Sequence, residues 1–323
     1  MSKKILITGG LGYIGSHIAK LLGEKAVILD NKSNSSLDYK KKLPKAKVYV
    51  KNVNYYSLNK VFLENKITGV IHLASLKAAN ESVNNPLAYY EQNVFSTIQL
   101  LQTMRNFKIN NIIFSSSATV YGNSNDCPLK EDMILNSVNP YGSTKICIER
   151  LVDDYCKSDS KVKAISLRYF NPLGADKKAG LLDQPKGVPQ NILPILINSI
   201  KNKQAFKIFG NDYETKDGTC IRDYIHVKDL ASAHLLALQS LSKIKGHVPI
   251  NIGLGKGLSV LELVKLFEKA NNISIKYKIS KRREGDVAIS YADNTKAKKI
   301  LGWKPKFNHL DMLRDAWEAS LNL

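Results

Sequence analysis

A short apolar run leading directly into a glycine-rich turn constrains this sequence more than any other feature. The run KKILIT ends at Gly9, glycines recur at positions 12 and 15, and a helical pattern extends from Tyr13 to Leu22. A turn without side chains lets the backbone approach a pyrophosphate, and the first amides of the helix can bind it. The spacing differs from Gly-x-Gly-x-x-Gly, so an ordinary strand–turn–helix remains the alternative.

Beyond this turn, short apolar runs alternate with helical patterns through the first half of the chain. Buried strands separated by helices are typical of a parallel sheet that is covered on both faces. We therefore expect an α/β fold, a doubly wound parallel Rossmann-type sheet with a smaller C-terminal α/β substrate domain. The expected elements include strands at Ala26–Asp30, Val48–Lys51, Gly69–Ala74, Asn111–Ser117 and Val162–Phe170 and a long helix from Pro86 to Phe107.

The pattern changes after Asn171, where residues as far as Gln190 are rich in glycine, proline and lysine and show no period. Such a stretch is typical of a long functional loop at a domain boundary. We expect residues 1–171 to form the dinucleotide-binding domain, with some elements near 225–252 returning to it. Residues 172–323 are expected to form the substrate-binding domain.

Composition narrows the class of protein. The 323 residues carry a formal net charge of +20, mostly from dispersed lysines, and no basic stripe with interleaved aromatic residues is present. This favours a solvated basic surface over nucleic-acid binding. No apolar run approaches the ~20 residues that span a bilayer, and the N-terminus lacks the core of a signal peptide. Four cysteines without metal-site spacing fit a reduced cytoplasm. We expect a cytoplasmic protein with no metal, membrane or nucleic-acid partner.

A carboxylate at the end of the second expected strand bears on cofactor choice. Asp30 follows the first glycine by about twenty residues, the spacing at which an acidic residue binds the ribose hydroxyls of a dinucleotide. A carboxylate there would repel a 2′-phosphate, which favours NAD over NADP. The nearby Lys32 leaves NADP open.

The segment YGSTK places a phenol and an ammonium group four residues apart. If it opens a helix, Tyr141 and Lys145 lie one turn apart on the same face. A nearby positive charge lowers the pKa of a tyrosine from its usual value of about 10, which would make Tyr141 a general base. A surface tyrosine above a solvated lysine is the alternative.

The segment SSSATVYG supplies a third candidate. Ser117 ends an expected strand at the carboxyl edge of the sheet, where ligands of such folds bind. Ser115 and Ser116 compete with Ser117 for the same role. No carboxylate follows Ser117 before Tyr121, so this segment supplies no general acid.

Together these segments resemble the extended short-chain dehydrogenase/reductase family and, within it, the UDP-glucose 4-epimerases. The resemblance extends over nearly the whole chain in the order of that family. It is carried further by ILDN (28–31), HLASLKAANES (72–82), RYFNPLGA (168–175), IFGNDY (208–213), DGTCIRDYIHVKDLA (217–231) and RREGD (282–286). It implies reversible 4-epimerisation of UDP-hexoses through a 4-keto intermediate with tightly bound NAD. A nucleotide-sugar dehydratase or decarboxylase, or a non-catalytic dinucleotide-sensing regulator, remains the alternative.

The resemblance also implies roles for single residues. Tyr141 would remove the proton of the 4-hydroxyl group, Ser117 would hydrogen-bond the reacting oxygen, and Lys145 would bind the nicotinamide ribose and lower the pKa of Tyr141. Asn52 departs from the aspartate usual in the family. The cofactor-binding positions carried over are Gly9, Gly12, Tyr13, Ile14, Gly15, Asp30, Asn31, Asn34, Ser35, Asn52, Val53, Lys77, Asn93, Tyr141, Lys145 and Tyr169.

On the substrate side, Arg222 and Arg283 suit a diphosphate because a guanidinium offers two parallel donors. Ion pairs with Asp223 and Glu284 are the alternative for these arginines, and Phe209 offers an aromatic face near uracil. The positions carried over are Ser117, Asn171, Asn191, Ile192, Lys207, Phe209, Arg222, Tyr224, Arg283, Asp286 and Ser290.

Two further expectations rest on the resemblance alone. The small Ser290 lies where a tyrosine restricts the pocket to glucose and galactose, so UDP-N-acetylglucosamine and UDP-N-acetylgalactosamine are expected substrates too. Family members are usually homodimers joined through the helices expected to begin near Pro86 and Tyr141. We therefore expect a homodimer that binds UDP-sugars.

Overall fold

The computed structural model describes residues 3–123, 126–283 and 285–321, and its strands are short. In chain order they are β1 (Lys4–Thr8), β2 (Ala26–Asp30), β3 (Lys47–Val50), β4 (Ile67–His72), β5 (Asn111–Ser117), β6 (Lys163–Tyr169), β7 (Asn171–Leu173), β8 (Phe206–Phe209), β9 (Ile221–His226), β10 (Gly246–Ile252), β11 (Gly257–Ser259), β12 (Tyr277–Ser280) and β13 (Ile289–Ser290).

Helices separate most of these strands. They are α1 (Tyr13–Leu22), α2 (Tyr39–Lys42), α3 (Tyr55–Glu64), α4 (Ala79–Asn84), α5 (Pro86–Tyr89), α6 (Ser96–Asn106), α7 (Pro140–Ser158), α8 (Ile192–Lys201), α9 (Val227–Ser240), α10 (Val260–Asn271) and α11 (His309–Leu321). A π-helical segment, Tyr90–Phe95, joins α5 to α6, and a 3₁₀ turn, Ala118–Tyr121, follows β5.

Seven of the strands form one parallel sheet in the order β3-β2-β1-β4-β5-β6-β10. The first six follow the order of the dinucleotide-binding fold, and the order reverses between β1 and β4. In sheets of this kind, ligands bind at the carboxyl ends of the strands beside that reversal. The predicted doubly wound fold is confirmed, with smaller sheets formed by the strands that follow β6 outside this set.

Alternate residues of the large sheet supply two separate cores, because successive side chains of a strand point to opposite faces. Ile7 and Ile28 belong to one buried cluster, which also takes in side chains from α1 and α9. Leu6 and Val27 belong to the other, with side chains from α3, α6 and α7. A third cluster joins α8, α10 and α11 away from this sheet.

The chain returns to the large sheet late in the sequence. β10 pairs with β6 in parallel from Gly246 opposite Lys163 to Ile252 opposite Tyr169. The core cluster on the α1 face includes Leu230 and Ala237 of α9. This places elements between residues 227 and 252 with the dinucleotide fold, while a domain boundary near Asn171 stays a prediction.

Local differences from the sequence expectations have simple causes. The helix expected without interruption from Pro86 to Phe107 passes through the π-helical segment, which has no signal in apolar periodicity. β3 begins one residue earlier than expected and β4 two residues earlier, shifts within the usual uncertainty of element ends. Among the described residues, the structure contains no helix long and apolar enough to cross a membrane.

Candidate active site

A cavity of about 380 Å³ opens where the strands of the large sheet end. Its wall includes residues directly after β1 and β4 and the last residues of β2, β5 and β6. This is the carboxyl edge at which the fold predicts a ligand. Almost every cofactor position expected from the sequence lines it: Gly9, Gly12, Tyr13, Ile14, Gly15, Asp30, Asn31, Asn34, Ser35, Asn52, Val53, Lys77, Tyr141 and Tyr169.

The glycine turn has the shape that a pyrophosphate requires. A Cβ atom on Gly9, which has φ of +71°, would lie 2.7 Å from the backbone nitrogen of Ala74, and one on Gly15 would collide with the Gly9 carbonyl oxygen. Gly12 caps α1, where no side chain caps the helix and its first turn holds no acidic residue. Free amides at an uncapped helix N-terminus favour an anion, so these residues fit the diphosphate of a dinucleotide.

Asp30 faces the same cavity from the end of β2. Its carboxylate is nearly buried and accepts hydrogen bonds from the backbone amides of Leu11 at 3.0 Å and Lys32 at 2.7 Å. These bonds fix the position of the carboxylate in the cavity wall. Asn31 donates to the side-chain oxygen of Asn52 at 2.8 Å, so the amide that departs from the family aspartate is tied into this wall.

Asn93 and Lys145, also expected at the cofactor, lie behind the cavity wall. The side chain of Asn93 is fully buried, accepts from the Leu76 amide at 2.7 Å and donates to the Leu76 carbonyl at 3.1 Å. It therefore positions the loop that carries Lys77. Asn93 belongs to the π-helical segment and also donates to Thr144 of α7.

The three serines at the end of β5 divide by strand alternation. Ser116 points away from the cavity and donates to Glu149 at 2.5 Å, whereas Ser115 and Ser117 line the cavity. Ser115 accepts a hydrogen bond from the Tyr169 hydroxyl. Ser117 accepts from the amide and the hydroxyl of Thr119 at 3.2 and 3.0 Å. Ser117 is also the serine that acts on the pKa of the Tyr141 phenol.

Tyr141 and Lys145 occupy the first turns of α7, as the sequence predicted. Pro140 is the first helical residue, and the Asn139 side chain caps the helix by accepting from the Gly142 amide at 2.9 Å. The Lys145 ammonium is buried and donates to the Ser115 carbonyl at 2.8 Å and the Ser75 hydroxyl at 3.1 Å. It lies 5.6 Å from the centre of the Tyr141 ring.

Burial dominates the titration of this pair. It raises the pKa of the Tyr141 phenol, and the hydrogen bond with Ser117 opposes that shift only in part. Burial also lowers the pKa of Lys145 to about 7, against the attraction of Glu149. The lowering of the Tyr141 pKa by Lys145 and the positive charge of oxidised NAD, expected from the resemblance, stays a prediction, because it concerns the protein with its cofactor bound.

A buried network of charged and polar side chains behind this site was not predicted from the sequence. Arg168 forms an ion pair with Glu149 of α7, with 2.6 Å between Nη2 and Oε2, and both side chains are buried. Arg168 also donates to the Tyr121 hydroxyl at 3.0 Å, and that hydroxyl donates to Asn251 of β10 at 2.6 Å. The spacing of Glu149, four residues after Lys145, was the available signal.

Four of the residues expected to bind the UDP group form a separate cluster. The Arg283 guanidinium lies 4.9 Å from the centre of the Phe209 ring and donates to Asp286 at 2.9 Å. The Arg222 guanidinium lies 3.7 Å from the same carboxylate. Two guanidinium groups share one carboxylate, so the cluster keeps a net positive charge that suits a diphosphate.

Asp223 and Glu284 were the alternative ion-pair partners of these arginines. Asp223 is buried and accepts from the amides of Leu254 and Gly255 at 2.8 and 2.9 Å and from that of Ala292 at 3.1 Å. It thus serves the backbone rather than Arg222. Glu284 lies outside the described residues.

The remaining residues expected to bind substrate do not all lie in one place. Ser290 pairs with Arg222 in neighbouring strands, and the buried Tyr224 lies two residues after Arg222 along β9. Asn171 and Asn191 line the cofactor cavity instead. Lys207 is exposed on β8, and Ile192 begins α8; neither lines that cavity.

Comparisons with known proteins agree with this geometry. Residues 5–253 match the model of the NAD dependent epimerase/dehydratase family. The chain belongs to this family. It is 45% identical to UDP-glucose 4-epimerase of Dictyostelium discoideum over 331 aligned positions, which cover 99% of this chain and 96% of the relative.

Solved structures of family members superpose closely. UDP-glucose 4-epimerase of Bifidobacterium longum in complex with NAD+ and UDP matches with a TM-score of 0.93 and 39% identity, over 99% of this chain and 98% of that one. The UDP-Glc/GlcNAc 4-epimerase of Campylobacter jejuni matches with a TM-score of 0.85 and 31% identity over 100% of both chains.

The family includes dehydratases by its description, so the acidic groups of this epimerase/dehydratase site are informative. Among the described residues that line the cavity, the carboxylates are Asp30 and Asp183. Asp30 is held by backbone amides, and Asp183 accepts from Asn191 at 2.6 Å. Ala118 and Thr119 follow Ser117, so this segment supplies no general acid for elimination.

Proposed function

We propose that the chain catalyses the reversible 4-epimerisation of UDP-glucose and UDP-galactose with tightly bound NAD. The observation that carries this proposal is the meeting of Ser117, Tyr141 and the buried Lys145 at a cavity built for a dinucleotide. A serine, a tyrosine and a lysine with no acidic partner suffice to move a proton at one hydroxyl group.

In the proposed reaction, Tyr141 removes the proton of the sugar 4-hydroxyl group, while Ser117 hydrogen-bonds the same oxygen. Bound NAD supplies the hydride acceptor for carbon 4 and returns the hydride, so there is no net oxidation. The 4-keto sugar rotates in the pocket so that its other face receives the hydride, and Tyr141 gives its proton back to the oxygen. Each turnover thus inverts one carbon and restores the enzyme.

Because the pKa of Tyr141 is raised, the proposed reaction requires a nearby positive charge. With its phenol buried, Tyr141 needs added positive charge to become a base near neutral pH. The ammonium of Lys145 and the positive charge of an oxidised nicotinamide are the two sources in the proposed complex. Base formation would then be linked to cofactor binding.

On the substrate side, we propose that Arg222 and Arg283 bind the diphosphate and that Phe209 contacts uracil. Their support is the cluster around Asp286, which holds two guanidinium groups against one carboxylate. The other substrate positions expected from the sequence belong to the same proposal.

Product analysis tests this function. Purified protein is incubated separately with UDP-glucose, UDP-galactose, UDP-N-acetylglucosamine and UDP-N-acetylgalactosamine, with no NAD added. The proposal expects interconversion of at least the first two, sustained by cofactor that purifies with the protein. Release of a 4-keto-6-deoxy sugar as the product would instead identify a dehydratase.

We further propose that the two acetamido sugars are interconverted. Ser290 of β13 is a small residue beside Arg222, and the similar Campylobacter jejuni protein is described as a UDP-Glc/GlcNAc 4-epimerase. Ser290→Tyr should keep hexose activity and lose acetamido-sugar activity, with Ser290→Ala as the matched control. Equal losses on both substrate pairs would exclude the pocket-size explanation.

A homodimer completes the proposal. Val83, Leu87 and Phe95 are exposed on the segment from α4 to α6, with Leu87 84% exposed. Apolar side chains grouped on neighbouring helices are typical of an interface between subunits. Sedimentation should give a dimer for the wild type and a monomer for Leu87→Lys.

The four cysteines are free thiols, which suits the cytoplasmic location we propose.

A further inference from the structure

The segment from Asp176 to Lys186, called the strap below, forms part of the cofactor cavity although no role follows for it from the motifs. Leu182, Asp183 and Gln184 line the same cavity as the glycine turn and Asp30. The same wall also includes Ser33, Asn34 and Ser35, which follow β2.

The strap is a folded element with a buried anchor. Asp176 and Leu181 pair through both backbone amides, at 2.8 and 3.1 Å, and Ala179 donates to the Asp176 side chain at 3.1 Å. Leu181 is fully buried and belongs to the same core cluster as Leu37 and Leu43. The strap and the segment 32–43 therefore share one apolar core.

Polar contacts join the same two segments along their length. Lys42 donates to the Gly180 carbonyl at 2.5 Å, and Lys186 donates to the Lys32 carbonyl at 2.8 Å. Between them, the Ser36 hydroxyl donates to the Gln184 carbonyl at 3.0 Å. The contacts from Lys42 and Lys186 thus fall on either side of Leu182–Gln184, the part that lines the cavity.

We propose that the strap is a further part of the cofactor site: docked on residues 32–43, it closes one wall of the cavity and slows release of the dinucleotide. This inference rests on the proposed function, because it assumes that the cavity holds NAD. A ligand enclosed by the strap leaves faster when the strap is undocked, so the docking contacts add to the barrier for release.

The Lys42→Met, Lys186→Met double variant tests this role. It removes two charged donors, and Lys186 is exposed while Lys42 is only half-buried, so the fold should be preserved. Hydrogen bonds from charged groups are stronger than those between neutral groups, so we expect NAD release to be about 10-fold faster. Release is measured by chasing bound radiolabelled NAD with unlabelled NAD.

Matched controls separate the strap from general charge effects. Lys40→Met, Lys45→Met removes the same charge at two exposed lysines, and in the described contacts neither donates to the strap. Lys42→Arg, Lys186→Arg keeps the donors and should release NAD at nearly the wild-type rate. Thermal unfolding in excess NAD checks that all variants are folded.

The outcomes distinguish the two proposals. Faster release in the Lys42→Met, Lys186→Met protein than in its charge-matched control supports the strap. Equal release rates, from proteins that all purify with NAD, overturn the strap and leave the proposed function standing. A wild-type protein that binds no NAD overturns both.

Discussion

The Lys145 ammonium lies 5.6 Å from the centre of the Tyr141 ring, one helical turn further along α7. The lysine is held there by the Ser115 carbonyl of β5 and by the hydroxyl of Ser75, in the loop that follows β4. Burial lowers the pKa of Lys145 to about 7 and raises that of Tyr141. We therefore propose that the site depends on the positive charge that a bound cofactor brings.

The first prediction concerns that dependence. Binding of NAD+ should lower the pKa of the Tyr141 phenol by about 1 to 3 units, the size of shift that a nearby opposite charge produces. The measurement is tyrosinate absorbance against pH, taken as the difference between wild type and Tyr141→Phe. Reduced NADH lacks the positive ring and should give a smaller shift. Identical titrations with NAD+ and NADH would contradict the account.

The second prediction concerns the buried pair of Arg168 and Glu149. Glu149→Gln leaves the Arg168 guanidinium buried without its partner charge, which should lower the free energy of unfolding by about 3–5 kcal/mol. Urea unfolding measures this loss. Glu64→Gln, at an exposed carboxylate, is the control and should leave the midpoint almost unchanged. A small effect at Glu149 would show that this pair does not stabilise α7 against β6.

The third prediction concerns Asp315, which ties α11 to Lys228 and His226. Its carboxylate accepts from Lys228 at 2.8 Å and from His226 at 3.3 Å. Burial would raise the pKa of Asp315, but these two hydrogen bonds outweigh burial and hold the pKa well below its usual value. A carboxyl group whose pKa is lower in the folded than in the unfolded state stabilises the fold at pH values above the unfolded pKa of about 3.9. This contribution is lost as the pH falls from there toward the folded pKa.

Asp315→Asn should therefore be less stable than wild type at pH 7, and the difference should shrink as pH falls below about 4. Urea unfolding at several pH values between neutral and acid measures it. A difference that stays constant across this range would show that Asp315 acts by shape and not by charge.

Elements dictated by local pattern were predictable. α1 begins and ends where its apolar periodicity places it, and β2 and β5 match their apolar runs. The π-helical segment was not predictable, because its amino acids are those of an ordinary helix. It depends on packing against its neighbours.

The candidate site divides in the same way. The turn from Gly9 to Gly15 and the pair Tyr141 and Lys145 carry local spacing that indicates their chemistry. The cluster of Arg222 and Arg283 around Asp286 joins distant parts of the chain, so only the family resemblance pointed to it. The strap could not be predicted from the sequence. It has no period or motif, and its position depends on contacts with residues 32–43.

Tyr141→Phe removes the hydroxyl group that is proposed to take the proton of the sugar 4-hydroxyl group. The rate of conversion of UDP-galactose to UDP-glucose is compared between the two proteins, each loaded with NAD to the same extent. The Tyr141→Phe protein should be at least about 100-fold slower, since general base catalysis contributes that much or more. An undiminished rate in the Tyr141→Phe protein would exclude Tyr141 as the base.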